Sequence, residues 1–213
     1  GGLSGIFDTS ISFANAEVIA GGGGSSGDTY RGGNAGDHDT SGQSGDGGYG
    51  NNGRGATHLA GGAAGNTGNS GYANPQAGSA LNGGDAGNSG SLQAERYYGA
   101  GRGSSGGIHS GGGGSGYYGG GGGNKVQGGA SGYGCGGGGG TGYLSSNVSN
   151  KVGEVGSGND GAAPNTGDSD YVSPTAKGGE ANSNKGGGGY LKIDGSGTGS
   201  NDMPLISNAT TAE

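Results

Sequence analysis

Apolar residues gather at the two ends of the chain and almost vanish between them. Residues 1–20 hold Leu3, Ile6, Phe7, Ile11, Phe13, Val18 and Ile19. Ile11 and Phe13 alternate with Ser10 and Ser12, the two-residue period of a half-buried strand. Tyr190, Leu191, Lys192, Ile193 and Asp194 predict a second short strand, followed by a small apolar patch at Met203, Leu205 and Ile206. The pattern divides the chain into an N-terminal β segment (1–20), a body (21–189) and a C-terminal strand and tail (190–213).

The body has neither a strand period nor a helix period. Its only repeat is glycine. Gly62, Gly65, Gly68 and Gly71 recur at spacing three, as do Gly42, Gly45 and Gly48, and Gly84, Gly87 and Gly90. Unbroken glycine blocks stand between such runs, at 21–24, 111–114, 119–123, 136–140 and 186–189. A polyproline-II helix has ~3 residues per turn and no internal hydrogen bonds. One face therefore repeats every third residue, and its backbone groups must find partners on neighbours. Spaced runs suit outer helices that turn Asn, Ser, Thr, Asp and Ala to water. Solid blocks suit interior helices surrounded on all sides. The predicted fold class is a polyglycine-II helix bundle braced by short β-strands at both ends, with essentially no α-helix. Collagen is excluded by the broken phase and by only 4 prolines.

Composition sharpens this. Of 213 residues 67 are Gly, and there is no Trp. Leu, Ile, Val, Phe and Met make up about a tenth of the chain, too little for a conventional core. By composition alone a disordered tract is the favoured reading; the order of the glycines favours the bundle. The net charge of −7 argues against nucleic acid, and no apolar run is long enough for a membrane span. The start at Gly1, with no Met, suits a mature product whose leader has been removed. The single cysteine, Cys135, can only be a spectator or a link between subunits.

Several segments resemble a known family. Residues 16–24 (AEVIAGGGG), 111–123 (GGGGSGYYGGGGG), 136–144 (GGGGGTGYL) and 186–193 (GGGGYLKI) occur in the order, and with Tyr at the edge of the glycine blocks, seen in the glycine-rich domains of anaplastic lymphoma kinase and leukocyte tyrosine kinase. Related domains occur in bacterial and protist surface proteins. Glycine-rich bacteriophage tail-tip adhesins are similar in composition. The resemblance implies a polyglycine-II bundle braced by β structure. The chain departs from the kinase domains in having one Cys and no Trp.

Chemistry-bearing motifs are sparse. Gly101, Gly103 and Gly106 spell G-x-G-x-x-G, but no strand precedes them, so no cofactor is expected. Arg31, Arg54 and Arg102 stand next to glycine in an acidic chain, too few for an RNA-binding tract. Asp37 and Asp39 are a weak calcium candidate, because Gly48 stands where the twelfth-position acid of a calcium loop belongs. His38, His58 and His109 are scattered, and no catalytic constellation has local support. Tyrosine is abundant, 11 against 2 Phe. Tyr97, Tyr98, Tyr117, Tyr118, Tyr133 and Tyr143 border glycine blocks, as rings capping bare backbone or contacting a ligand. Asn147 and Asn208 are glycosylation acceptors if the chain is secreted.

The expected function is that of an extracellular, non-enzymatic structural protein, the self-assembling subunit of a fibre or matrix. Ile6, Phe7, Ile11 and Phe13 are its candidate intersubunit joint, by strand addition. The alternatives are a surface-recognition adhesin, with loops such as 92–98 and 148–155 carrying the binding, and an ice-binding protein. The expected partners are further copies of the chain, or a cell-surface glycan or protein, with no nucleic acid and no membrane insertion. The expected location is secreted, on a cell surface or on a virion surface.

Overall fold

The computed structural model describes residues 1–48, 50–66, 73–87, 91–92, 99–105, 109–126, 133–151, 166–167, 169, 171–181 and 185–192. These residues contain no α-helix, and no helix is long and apolar enough to cross a membrane. The strands are β1 (Ser4–Phe7), β2 (Ala16–Ala20), β3 (Ser91–Leu92), β4 (Ser104–Ser105), β5 (Lys125–Val126), β6 (Tyr133–Gly134) and β7 (Tyr143–Leu144). One sheet runs β1-β2-β7, antiparallel throughout, with Ile6 opposite Val18 and Ile19 opposite Tyr143. Two-residue ladders pair β3 with β4 and β5 with β6.

Two predicted strands differ from this. The Ser10–Phe13 alternation lies in the connection between β1 and β2, which ends in a single 3-10 turn, Phe13–Asn15. Asp8 N–H donates to Asn15 O at 2.8 Å and closes that connection, so the strands form on either side of it. Residues 190–192 form no strand. The outer edge of β2 is taken by Tyr143 and Leu144. The block before Tyr190 lies instead along the N-terminal residues, with Gly189 N–H donating to Gly2 O at 2.7 Å and Ser4 Oγ donating to Gly189 O at 2.7 Å.

The body is organised by backbone hydrogen bonds with a three-residue repeat. In 136–141, Gly136 and Gly139 donate to Asp46 and Gln43; Gly137 and Gly140 donate to Ser25 and Gly22; Gly138 and Thr141 donate to Gly121 and Tyr118, all at 2.8–3.0 Å. Each neighbour is met at every third residue, and the acceptor number falls by three, so these pairs run antiparallel. Residues 119–124 repeat the pattern. Gly119 and Gly122 bond Ser79 and Gln76, Gly120 and Gly123 bond Gly114 and Gly111, and Gly121 and Asn124 bond Arg54 and Asn51. Other pairs run parallel: Gly62 and Gly65 donate to Gly119 and Gly122, and Gly33 and Gly36 to Gly137 and Gly140. A strand meets two neighbours on a two-residue period. These segments meet three on a period of three.

Burial follows the same repeat. Gly62 and Gly65 are buried while Ala63 and Asn66 are exposed, and Gly53 and Ala56 are buried while Arg54 and Thr57 are exposed. The blocks 21–24, 111–114, 119–123 and 136–140 are buried throughout, whereas in 186–189 Gly189 is buried, Gly186 and Gly187 are half-buried and Gly188 is exposed. A methyl group on Gly137, Gly138 or Gly139 would overlap the backbone carbonyl of Gly112, Arg54 or Asn34 respectively. Three consecutive residues thus press on three different chains, which leaves glycine as the only residue that fits.

The largest fully buried side chains are mostly polar: Asn34, Asn124, Thr141, Asp85 and Ser115, with Cys135. They bond backbone groups, as buried polar atoms must. Asn124 Nδ2 donates to Asn66 O at 2.6 Å, and Gly178 N–H donates to Asn34 Oδ1 at 2.7 Å. The hydrophobic cluster is small. Phe7, Ala16 and Ile19 are buried, with Leu3, Leu81, Tyr117 and Tyr143 packed on them. It lies where the sheet meets the 117–118 turn.

Candidate functional site

Four aromatic rings collect at this sheet end. Phe13 comes from the 3-10 turn, Tyr117 and Tyr118 from the turn between two glycine blocks, and Tyr143 from β7. Backbone bonds hold the turn in place. Tyr117 N–H donates to Thr141 O at 2.8 Å, Leu81 N–H donates to Tyr117 O at 3.1 Å, and Tyr118 N–H donates to Thr141 Oγ1 at 3.2 Å. Tyr117 is the middle ring of a stack. Tyr143 lies on one face, with centroids 3.9 Å apart and planes 8° from parallel. Phe13 lies on the other at 4.2 Å and 22°. Tyr118 meets Tyr117 edge-on at 5.3 Å and 77°, and Phe13 at 5.1 Å and 55°. All four rings are half-buried. Burial, the neighbouring Tyr143 and Tyr118 phenols and a hydrogen bond with Tyr143 push the Tyr117 phenol above its ordinary pKa, so it stays neutral.

Of the tyrosines singled out in the sequence, the structure brings together Tyr117, Tyr118 and Tyr143. Tyr133 stands apart, exposed on β6. Tyr97, Tyr98 and Asn208 lie outside the described residues, as do 93–98 and 152–155 of the two candidate loops. Of the joint residues, Ile6 and Phe7 are buried against their own chain, Phe13 joins the ring stack and Ile11 is 62% exposed.

Asp37 and Asp39 clasp the buried His38 ring between them, Asp37 Oδ1 3.0 Å from Nδ1 and Asp39 Oδ2 2.9 Å from Nε2. Their carboxylates are engaged on an imidazole. Among the described residues no group of three or more His, Cys, Asp or Glu converges as a metal site. Asn147 is exposed, but its amide donates to both Glu17 carboxylate oxygens at 3.2 Å, and Ser145 Oγ donates to Glu17 Oε2 as well. Cys135 is fully buried, and burial pushes its thiol up to about 11.

Sequence reasoning passed over two features. Phe13 was read as a strand residue; its role as the third ring of the stack had no local signal. Arg102 was weighed only as an arginine–glycine motif. It forms a two-pronged pair with Asp85, Nε at 3.1 Å and Nη2 at 2.8 Å from Oδ2, and its own N–H donates to Asp85 Oδ1 at 2.8 Å. Asp85 is nine-tenths and more buried. Comparison with family models, with curated proteins and with solved structures finds no match.

Proposed function

We propose that this chain is a non-enzymatic structural protein of the extracellular space, built as a polyglycine-II bundle and acting as the self-assembling subunit of a fibre or matrix. The observation that supports the bundle is the three-residue hydrogen-bond repeat, in which one segment addresses three neighbours in turn. Such a fold suits a mechanical role. Its cohesion is spread over many short backbone bonds and not concentrated in a core. The resemblance to glycine-rich surface domains supports the extracellular setting. Assembly is supported by exposed apolar side chains at turns, Ile11 at 62% and Leu59 at 88%, and by the edge strand β7.

Hydrogen exchange tests the bundle. The amides of 119–124 and 136–141 should open together, late and cooperatively; exchange at free-peptide rates refutes the bundle. Sedimentation and negative-stain electron microscopy test the assembly. Filaments or large oligomers, reduced by Ile11→Asp, support it. The half-buried ring stack favours a second reading, a recognition module that binds a cell-surface glycan or protein. A monodisperse monomer that binds whole cells would select this reading over the fibre.

A further inference from the structure

The geometry points to Tyr117 and Tyr143 as an oxidative cross-linking site. A peroxidase using hydrogen peroxide would join the two rings there through the carbons next to their hydroxyls. The two phenols stack nearly parallel, with ring centroids 3.9 Å apart and planes 8° from parallel. Rings stacked this closely bring the carbons flanking the hydroxyls, where a phenoxyl radical carries unpaired spin, against the facing ring before any reaction begins. The other face of Tyr117 is closed by Phe13 at 4.2 Å, a ring with no phenol to oxidise. Tyr118 is edge-on to Tyr117 at 77° and does not overlap it. Among the described residues, no other two tyrosine rings stack face to face. Both rings are only half-buried, and Tyr143 lies on an edge strand.

The step balances. Each phenol loses one electron and its hydroxyl proton to give a phenoxyl radical. The two ring carbons form one C–C bond. Each then releases its ring hydrogen as a proton, and each oxygen regains a proton, restoring both hydroxyls. Two electrons and two protons leave in total; hydrogen peroxide accepts them as its O–O bond breaks, giving two waters. The product ties β7 to the 117–118 turn and closes a covalent loop around the interior segments 119–124 and 135–141. A cross-link of this kind stabilises chiefly by restricting the unfolded chain.

The test is to treat the dilute purified chain with peroxidase and hydrogen peroxide. Four results are expected: dityrosine fluorescence in the monomer, a mass loss of two hydrogens, a cross-linked peptide pair carrying Tyr117 and Tyr143, and a higher unfolding temperature. Tyr143→Phe preserves the stack and should remove the monomer product; Tyr133→Phe should leave it intact. The proposal is overturned if peptide mapping of the wild-type product joins other tyrosines, or if coupling occurs only between chains. It is equally overturned if no product forms while free tyrosine couples in the same reaction. Because mapping is done on the wild-type chain, the result does not depend on either variant folding.

Discussion

Placing one methyl group at Gly138 should cost about as much as truncating a core side chain. An alanine Cβ there would overlap the Arg54 carbonyl, with Gly55 N also close. That carbonyl cannot simply retreat, because it accepts the Gly121 N–H at 2.9 Å. Gly138 cannot retreat either. Its N–H donates to Gly121 O and its carbonyl accepts from Gly114, both at 2.9 Å. Forcing backbone into a filled interior costs ~1–3 kcal/mol. Orphaning one buried backbone group adds ~1–3 kcal/mol. The gain from stiffening the unfolded chain offsets only ~0.4–1 kcal/mol. The net loss is ~1–6 kcal/mol, a large share of the ~5–15 kcal/mol that holds an ordinary domain. Gly188 is the matched control. It is exposed, and an added Cβ would meet nothing nearer than Gly2 O at 3.5 Å. Gly188→Ala should be neutral or stabilising by up to ~1 kcal/mol. Urea unfolding followed by far-ultraviolet circular dichroism measures both. A wild-type midpoint for Gly138→Ala, or equal losses for the two variants, would refute the claim that interior glycines are set by backbone contact.

Three further outcomes are expected. Cys135 should resist alkylation at pH 8 in the native chain and react fully in denaturant. Its folded pKa of about 11, raised by burial from 9.0, makes the fold prefer the neutral thiol. The stability this contributes is intact below pH 9 and is lost as the pH rises towards 11, a slope that Cys135→Ala should flatten. Asp85→Ala should lower the unfolding temperature clearly, because it removes three hydrogen bonds at a buried position. Glu180→Gln, at the exposed Arg31 and Lys177 pairs, should have almost no effect; similar losses for both would contradict the contrast. Calcium should leave the unfolding temperature unchanged, because Asp37 and Asp39 are engaged by His38. A calcium-dependent rise lost in Asp37→Asn would show that the carboxylates can be recruited.

The burial pattern was partly legible in glycine spacing. Gly62 and Gly65 turn inward while Ala63 and Asn66 face water, and the solid blocks 111–114, 119–123 and 136–140 are buried, as the spacing implied, but in 186–189 only Gly189 is. The strands were less legible. Apolar alternation located the N-terminal β segment but misplaced its strands. Ser10–Phe13 bends because Asp8 and Asn15 close the connection, the third strand comes from 143–144, and of the predicted strand 190–194 the described residues 190–192 form none. Of the candidate site, the tyrosines at block edges were visible. Their stacking was not, and nor was the engagement of Asp37 and Asp39 by His38.

The sequence by itself determined that no conventional hydrophobic core could form and that backbone would meet backbone. Those are consequences of composition and of a local period, which any segment carries wherever it lies. Only the tertiary structure decided which segments became neighbours, whether each pair ran parallel or antiparallel, and which side chains met at the sheet end. Glycine has no side chain with which to choose a partner, so one glycine block is much like another until the whole chain is packed. Selection then falls to the few residues with side chains at the block ends: Asn34, Asn124, Asp85 and Thr141 inside, and Phe13, Tyr117 and Tyr143 at the rim. Those residues meet across long separations in the chain, and no local pattern records which of them will touch.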